Sequence, residues 1–142
     1  MKKVILILLI LILTVLISFK IKKDREEKNN QIRYQEIKEN VKKAVIWNIS
    51  AQYPKCTIDD NFLDSDKDAS GTSYNSSFLI SNGYIKKEEL LDIDKTSYCD
   101  VYVKIKVYYD NPLDHQQDCI ANYKIYLKCQ KYKDKGYINW NK

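Results

Sequence analysis

The spacing of apolar positions changes several times along the chain, and each change predicts a different element. Residues 4–19, VILILLILILTVLISF, are apolar on every side of a helix. Residues 23–53 contain neither Gly nor Pro, and Ile37, Val41 and Ala44 step by four and three towards Asn48. That is one face of a helix. Glu36, Glu39, Lys42 and Lys43 decorate the other face, with Glu39 and Lys43 at a favourable i, i+4 spacing. Tyr53-Pro54 ends the pattern, because the residue before proline avoids the helical region. Residues 57–77, TIDDNFLDSDKDASGTSYNSS, read as a polar loop in which Asp, Ser, Asn and Gly favour turns. Ser76 to Tyr84 reads as a short helix stopped by Gly83, and residues 86–91 as a second helical turn.

The period then becomes two. Val101, Val103, Ile105, Val107 and Tyr109 share one face, and Tyr102, Lys104, Lys106 and Tyr108 the other. After the polar stretch DNPLDHQQD the alternation resumes, with Ala121, Tyr123, Ile125 and Leu127 against Asn122, Lys124, Tyr126 and Lys128. Two such strands predict an antiparallel hairpin. Its Val/Ile face needs a cover, which the helix ending near residue 53 supplies. Its Lys/Tyr face suits solvent, with Lys stems lying over Tyr rings, although such a face could also take a nucleic-acid strand or a glycan. The expected fold is α+β: a long N-terminal helix packed on a small antiparallel sheet.

The hairpin constrains the four cysteines. With Tyr109 opposite Cys119, Cys99 falls opposite Cys129, within disulfide reach. Cys119 and Cys129 lie about 33 Å apart along one strand, and Cys99 and Cys119 sit at opposite ends of the hairpin. If both bridges form, only Cys99–Cys129 with Cys56–Cys119 remains. Metal ligation is the rival reading, but no C-x-x-C pair exists.

Charge sharpens the division of the chain. The 142 residues carry 24 Lys and Arg against 19 Asp and Glu, a net +5. Residues 1–28 hold seven bases and three acids, so the remainder is nearly neutral at +1. The basic excess flanks the apolar run, which argues against nucleic acid as a partner. Sixteen apolar residues plus Ile21, with Lys20 and Lys22 snorkelling, suffice to cross a bilayer core. No small-x-small cleavage site follows the run and no Cys lies just after it, so it reads as a retained signal anchor in contact with lipid over residues 4–21. The expected organisation is an anchor at 1–22, an amphipathic stem at 23–53 and a small domain at 54–142. Flanking bases alone would place the C-terminal side in the cytoplasm. Four cysteines argue for an oxidising, extracytoplasmic location instead, and long domains translocate with less regard to flank charge.

Candidate chemistry is sparse. Asp64, Asp66 and Asp68 alternate as calcium ligands do, but the loop pattern's Gly and Glu positions hold Ala69 and Asn75. Calcium is a candidate cofactor on that partial match. Asn48 and Asn75 head glycosylation sequons. His115 is the single histidine, the three glycines are isolated, and no nucleophile elbow or phosphate loop appears. No catalytic residues are assigned, and an enzyme is not expected.

An apolar helix, a charged amphipathic continuation, a Cys-bearing loop and a disulfide-bearing sheet resemble type IV pilins and pseudopilins. FLISNGYIKKEELLD and YKIYLKCQKYKDKGY are similar to segments of small pilin-like surface proteins of low-GC Gram-positive bacteria. The apolar run has no Gly and no acid, so the leader cleavage motif and assembly Glu of that family are absent. The resemblance therefore implies the fold and a membrane-anchored structural or interaction role in a surface or secretion complex, and not polymer formation. A ligand-binding ectodomain, with calcium or a glycan as ligand, is the alternative.

Overall fold

A computed structural model describes the backbone of residues 2–62, 70–109 and 119–137, and the side chains of these except residues 2–4, 6 and 70. The elements in chain order are α1 (Lys2–Gln52), β1 (Cys56–Asp59), β2 (Ser70–Asn75), α2 (Ser76–Ser81), a 3-10 turn (Lys87–Leu90), β3 (Asp100–Tyr109) and β4 (Cys119–Lys128). The chain divides into two compact units, Met1–Arg33 and Tyr34–Lys142.

The first unit is helix alone. Every apolar side chain described from Ile5 to Ile21 is more than half exposed. The two hydroxyls in this run are satisfied within the helix: Thr14 Oγ1 donates to the Leu11 carbonyl and Ser18 Oγ to that of Thr14, both at 2.8 Å. Among the described residues, no helix is long and apolar enough to cross a membrane.

The second unit is α+β. Its sheet has the order β1-β4-β3-β2 among the described residues. β3 and β4 form the expected hairpin, with Tyr109 opposite Cys119 and Val101 opposite Leu127. The predicted inner parity is observed: Val101, Val103, Ile105, Val107, Ala121 and Leu127 are buried. Onto this face α1 packs Ile37, Val41, Ala44 and Asn48, the residues of the predicted stripe, together with Val45 and Ile49. Trp47 on the same helix stays 59% exposed, its ring meeting Tyr84 edge-on.

Two expectations are corrected. The sheet is mixed, because β1 runs parallel to β4. Residues 57–77 are also not all loop: β1 and β2 occupy much of the segment. Thr57 and Ile58 suit a pleated strand, and in β2 the register puts Tyr74 opposite Val103 on the core side and Ser73 opposite Lys104 on the other. Polar composition hid both strands. α2 is capped by Asn75, whose side chain accepts from the Phe78 amide, and Gly83 beyond it adopts φ +73°, the left-handed conformation its stop position requires.

The Lys/Tyr face is also less wet than expected. Tyr102 and Tyr126 pair across β3 and β4 with ring centroids 5.6 Å apart, and both are almost fully buried. Phe62 lies beneath the ammonium groups of Lys106 and Lys124, and Tyr137 beneath those of Lys128 and Lys133. At Gly136 a Cβ would meet the Tyr126 ring at 2.9 Å, so the segment after β4 rests on the aromatic pair as only glycine permits.

Candidate functional site

Two disulfides hold the second unit. Cys56–Cys119 ties β1 to the start of β4, and Cys99–Cys129 closes the open end of the hairpin; in each the Cα atoms are 4.3 Å apart. No cysteine is free. This is the pairing left by the register argument, and the parallel β1–β4 ladder supplies its reason: Cys56 and Cys119 are direct partners there.

Asp92 is buried beside the second bridge, with a carboxylate oxygen and both sulfurs of Cys99 and Cys129 within 4.8 Å of one another. The sulfurs are committed to each other. The carboxylate accepts from the backbone amides of Ile93 and Gln130, each at 2.7 Å. Asp92 therefore orders the chain on both sides of the bridge.

A polar cleft of about 290 Å³ opens beside α1, lined by Gln35, Lys38, Glu39 and Lys42 of the helix and by Asp60, Tyr123, Lys124 and Ile125. Helical spacing puts Lys38 and Lys42 on adjacent turns, and both become fixed by carboxylates remote in sequence. Lys38 Nζ donates to both oxygens of Asp134 at 3.2 Å, and the same carboxylate accepts from the Leu127 amide at 2.9 Å. Lys42 Nζ lies 3.5 Å from Asp60. Its ammonium form is favoured first by the Tyr123 oxygen and then by Asp60. Burial pushes the Tyr123 phenol above its usual range, against the opposing pull of Lys42. Tyr34 is also pushed up, by burial and then by its hydrogen bond to Asp134. At neutral pH Tyr123 is therefore a protonated phenol and Lys42 an ammonium. The phenol of Tyr123 and the ammonium of Lys42 offer hydrogen-bond donors there, beside the carboxyl groups of Glu39 and Asp60.

The sequence-derived candidates fare unequally. Asp64, Asp66, Asp68 and His115 lie outside the described residues. Asn48 is fully buried, so the folded protein offers no glycosylation site there. Asn75 uses its side chain as the α2 cap. The cleft was not legible in the sequence, because Lys38 and Lys42 acquire Asp134 and Asp60 only through the fold. No protein-family model, no curated protein and no solved structure matches the chain.

Proposed function

We propose that this chain is a membrane-anchored, extracytoplasmic, non-enzymatic interaction protein, pilin-like in architecture, and an accessory component of a bacterial surface or secretion complex. The observation that carries this reading is the commitment of all four cysteines to two bridges. Paired cysteines belong to oxidising compartments. The anchor reading is supported by residues 4–21, whose only charge is Lys20. It draws on Val4 and Leu6, whose side chains are outside the described set. It is supported further by apolar side chains exposed on every side of that helix and by the internally bonded hydroxyls. The pilin-like element is supported by the order of elements: one helix passing from an apolar run into a stripe that covers a disulfide-bearing sheet.

The test is non-reducing peptide mapping of protein taken from its native membranes, with free thiols alkylated before lysis. The expected result is membrane retention with Cys56–Cys119 and Cys99–Cys129 linked. Four alkylated thiols would place the domain in a reducing compartment and sink the reading. Recovery in the soluble fraction would remove the anchor. A melting temperature that rises with calcium and drops back on changing Asp64, Asp66 and Asp68 together would favour the ligand-binding alternative.

A further inference from the structure

The two bridges lie in different surroundings. Cys99 and Cys129 are buried, and Asp92 is buried with them, a carboxylate oxygen and both sulfurs lying within 4.8 Å of one another. Asp92 is held in place by its whole backbone and side chain. Its amide donates to the Ser97 carbonyl at 2.9 Å, and its carbonyl accepts from the Lys95 amide at 3.0 Å. Each of its carboxylate oxygens accepts from a backbone amide, one from Ile93 and one from Gln130. Asp94 closes the same turn by accepting from the Thr96 and Ser97 amides. The carboxylate is thus fixed beside the sulfurs. Cys56, at the head of the edge strand β1, is by contrast partly exposed. Among the described residues no carboxylate forms such a cluster with the sulfurs of Cys56 and Cys119.

We propose that Asp92 is an electrostatic guard of Cys99–Cys129, and that it directs thiol–disulfide exchange to Cys56–Cys119. Exchange begins when a thiolate attacks one sulfur of a bridge. A new S–S bond forms, the old one breaks, and the displaced cysteine leaves as a thiolate. In the transition state one negative charge is spread over three sulfurs, and here two of them are those of Cys99 and Cys129. The fixed carboxylate repels that charge both as it arrives and as it departs. A like charge at about 5 Å slows such a step about fourfold at the dielectric of water and about 300-fold at an effective dielectric of 20. A buried site lies between these limits, so a slowing of about tenfold or more is expected. Exchange at the other bridge frees β1 of its covalent tie to β4, while the β3–β4 hairpin stays closed. The guard thereby makes one bridge permanent and leaves the sheet edge as the redox-sensitive element.

The test uses the full-length chain purified in detergent and two reductants at neutral pH. Samples are quenched by alkylation, and the initial opening of each bridge is followed by peptide mapping. Dithiothreitol attacks as a thiolate; it ends as its cyclic disulfide, and the bridge as two thiols. Tris(hydroxypropyl)phosphine attacks as a neutral molecule; water takes it on to the phosphine oxide, and the bridge again ends as two thiols. In the unaltered chain Cys99–Cys129 is expected to lag behind Cys56–Cys119 with dithiothreitol, and to lag less with the phosphine. Asp92→Asn is expected to speed dithiothreitol reduction of Cys99–Cys129 about tenfold or more beyond any gain seen with the phosphine, with Cys56–Cys119 unchanged. Lost hydrogen bonds alone would loosen the bridge for both reagents alike, so an equal gain with both overturns the proposal. So does an unchanged rate, and so does a Cys99–Cys129 bridge that neither reagent opens in either protein, because burial alone then protects it. If Asp92→Asn does not fold, the unaltered chain decides: a lag equally long with both reagents refutes the guard.

Discussion

Asn48 lies on the face of α1 that covers the sheet, fully buried, and neither its Oδ1 nor its Nδ2 has a hydrogen-bonding partner among the described residues. Replacing it by leucine tests the energetic reasoning behind the core. The two side chains have the same number of heavy atoms and branch at the same position. The change therefore removes an unsatisfied amide without opening a cavity, and the residual misfit costs less than about 1.5 kcal/mol. Relief of a buried, unpaired amide is worth about 1–3 kcal/mol by mutational measures. Better helix propensity adds a few tenths. The expected net gain runs from near zero to about 3 kcal/mol once the misfit is subtracted, and for a unit of this size each kcal/mol raises the melting temperature by about 4–6 °C. The assay is urea and thermal unfolding under non-reducing conditions, where the midpoint moves and the m-value does not. Ser50→Leu, on an exposed position of the same helix, controls for propensity and hydrophobicity alone. A loss of stability in Asn48→Leu, with Ser50→Leu neutral, would refute the argument. The amide would then be bonded in solution, through an internal water.

Other outcomes follow from the same structure. The bridges close loops of 63 and 30 residues. Chain-entropy arithmetic gives about 4.3 kcal/mol for Cys56–Cys119 and about 3.6 kcal/mol for Cys99–Cys129. Serine pairs should lose stability in that order in denaturant titrations, and equal losses would mean that native contacts, not loop closure, set the scale. Gly136→Ala places a Cβ against the Tyr126 ring at a φ of +92°, and a loss of about 1–3 kcal/mol is expected in the same titrations. A neutral result would show that the segment does not rest on the ring. Burial raises the Tyr74 phenol above its usual range. Above about pH 10 the unfolded chain gives up this proton while the folded chain keeps it. The stabilisation is therefore whole below that pH and is lost as pH rises towards the folded value, by up to about 1.4 kcal/mol per pH unit. Tyr74→Phe should flatten the alkaline limb of stability measured on short exposure, and an unchanged limb would count against the assignment.

What was legible in the sequence was what short-range periodicity encodes. The step from Ile37 through Val41 and Ala44 to Asn48 marked the buried face of α1, and strict alternation marked the β3–β4 hairpin and its faces, for which the assumed register, Tyr109 opposite Cys119, is the one observed. The register in turn selected the disulfides. β1 and β2 escaped because they are short, polar and edge-bound, stabilised by a partner strand far along the chain and not by a pattern of their own. The Lys/Tyr face was misjudged for a similar reason. Its alternation is plain, but Phe62 and Tyr137 reach it from other parts of the chain, and no local pattern announces a covering segment. The cleft's ion pairs, Lys38 with Asp134 and Lys42 with Asp60, are likewise products of tertiary placement.

The parallel pairing of β1 with β4 has a consequence for how the chain is made. Cys56 leaves the ribosome first, and its native partner Cys119 follows 63 residues later, several seconds behind at usual elongation rates of about 5–20 residues per second. In that interval Cys99 emerges, and it is the first thiol available to Cys56. In the finished sheet it belongs at the far end of the hairpin, bonded to Cys129. Vectorial oxidation would therefore make the wrong crosslink first. Productive maturation requires either that the β3–β4 hairpin close before the oxidant acts, taking Cys99 out of reach, or that an isomerase exchange the early bond. The yield of folded protein should then depend on the oxidoreductases of the host compartment, and not on the stability of the final fold alone.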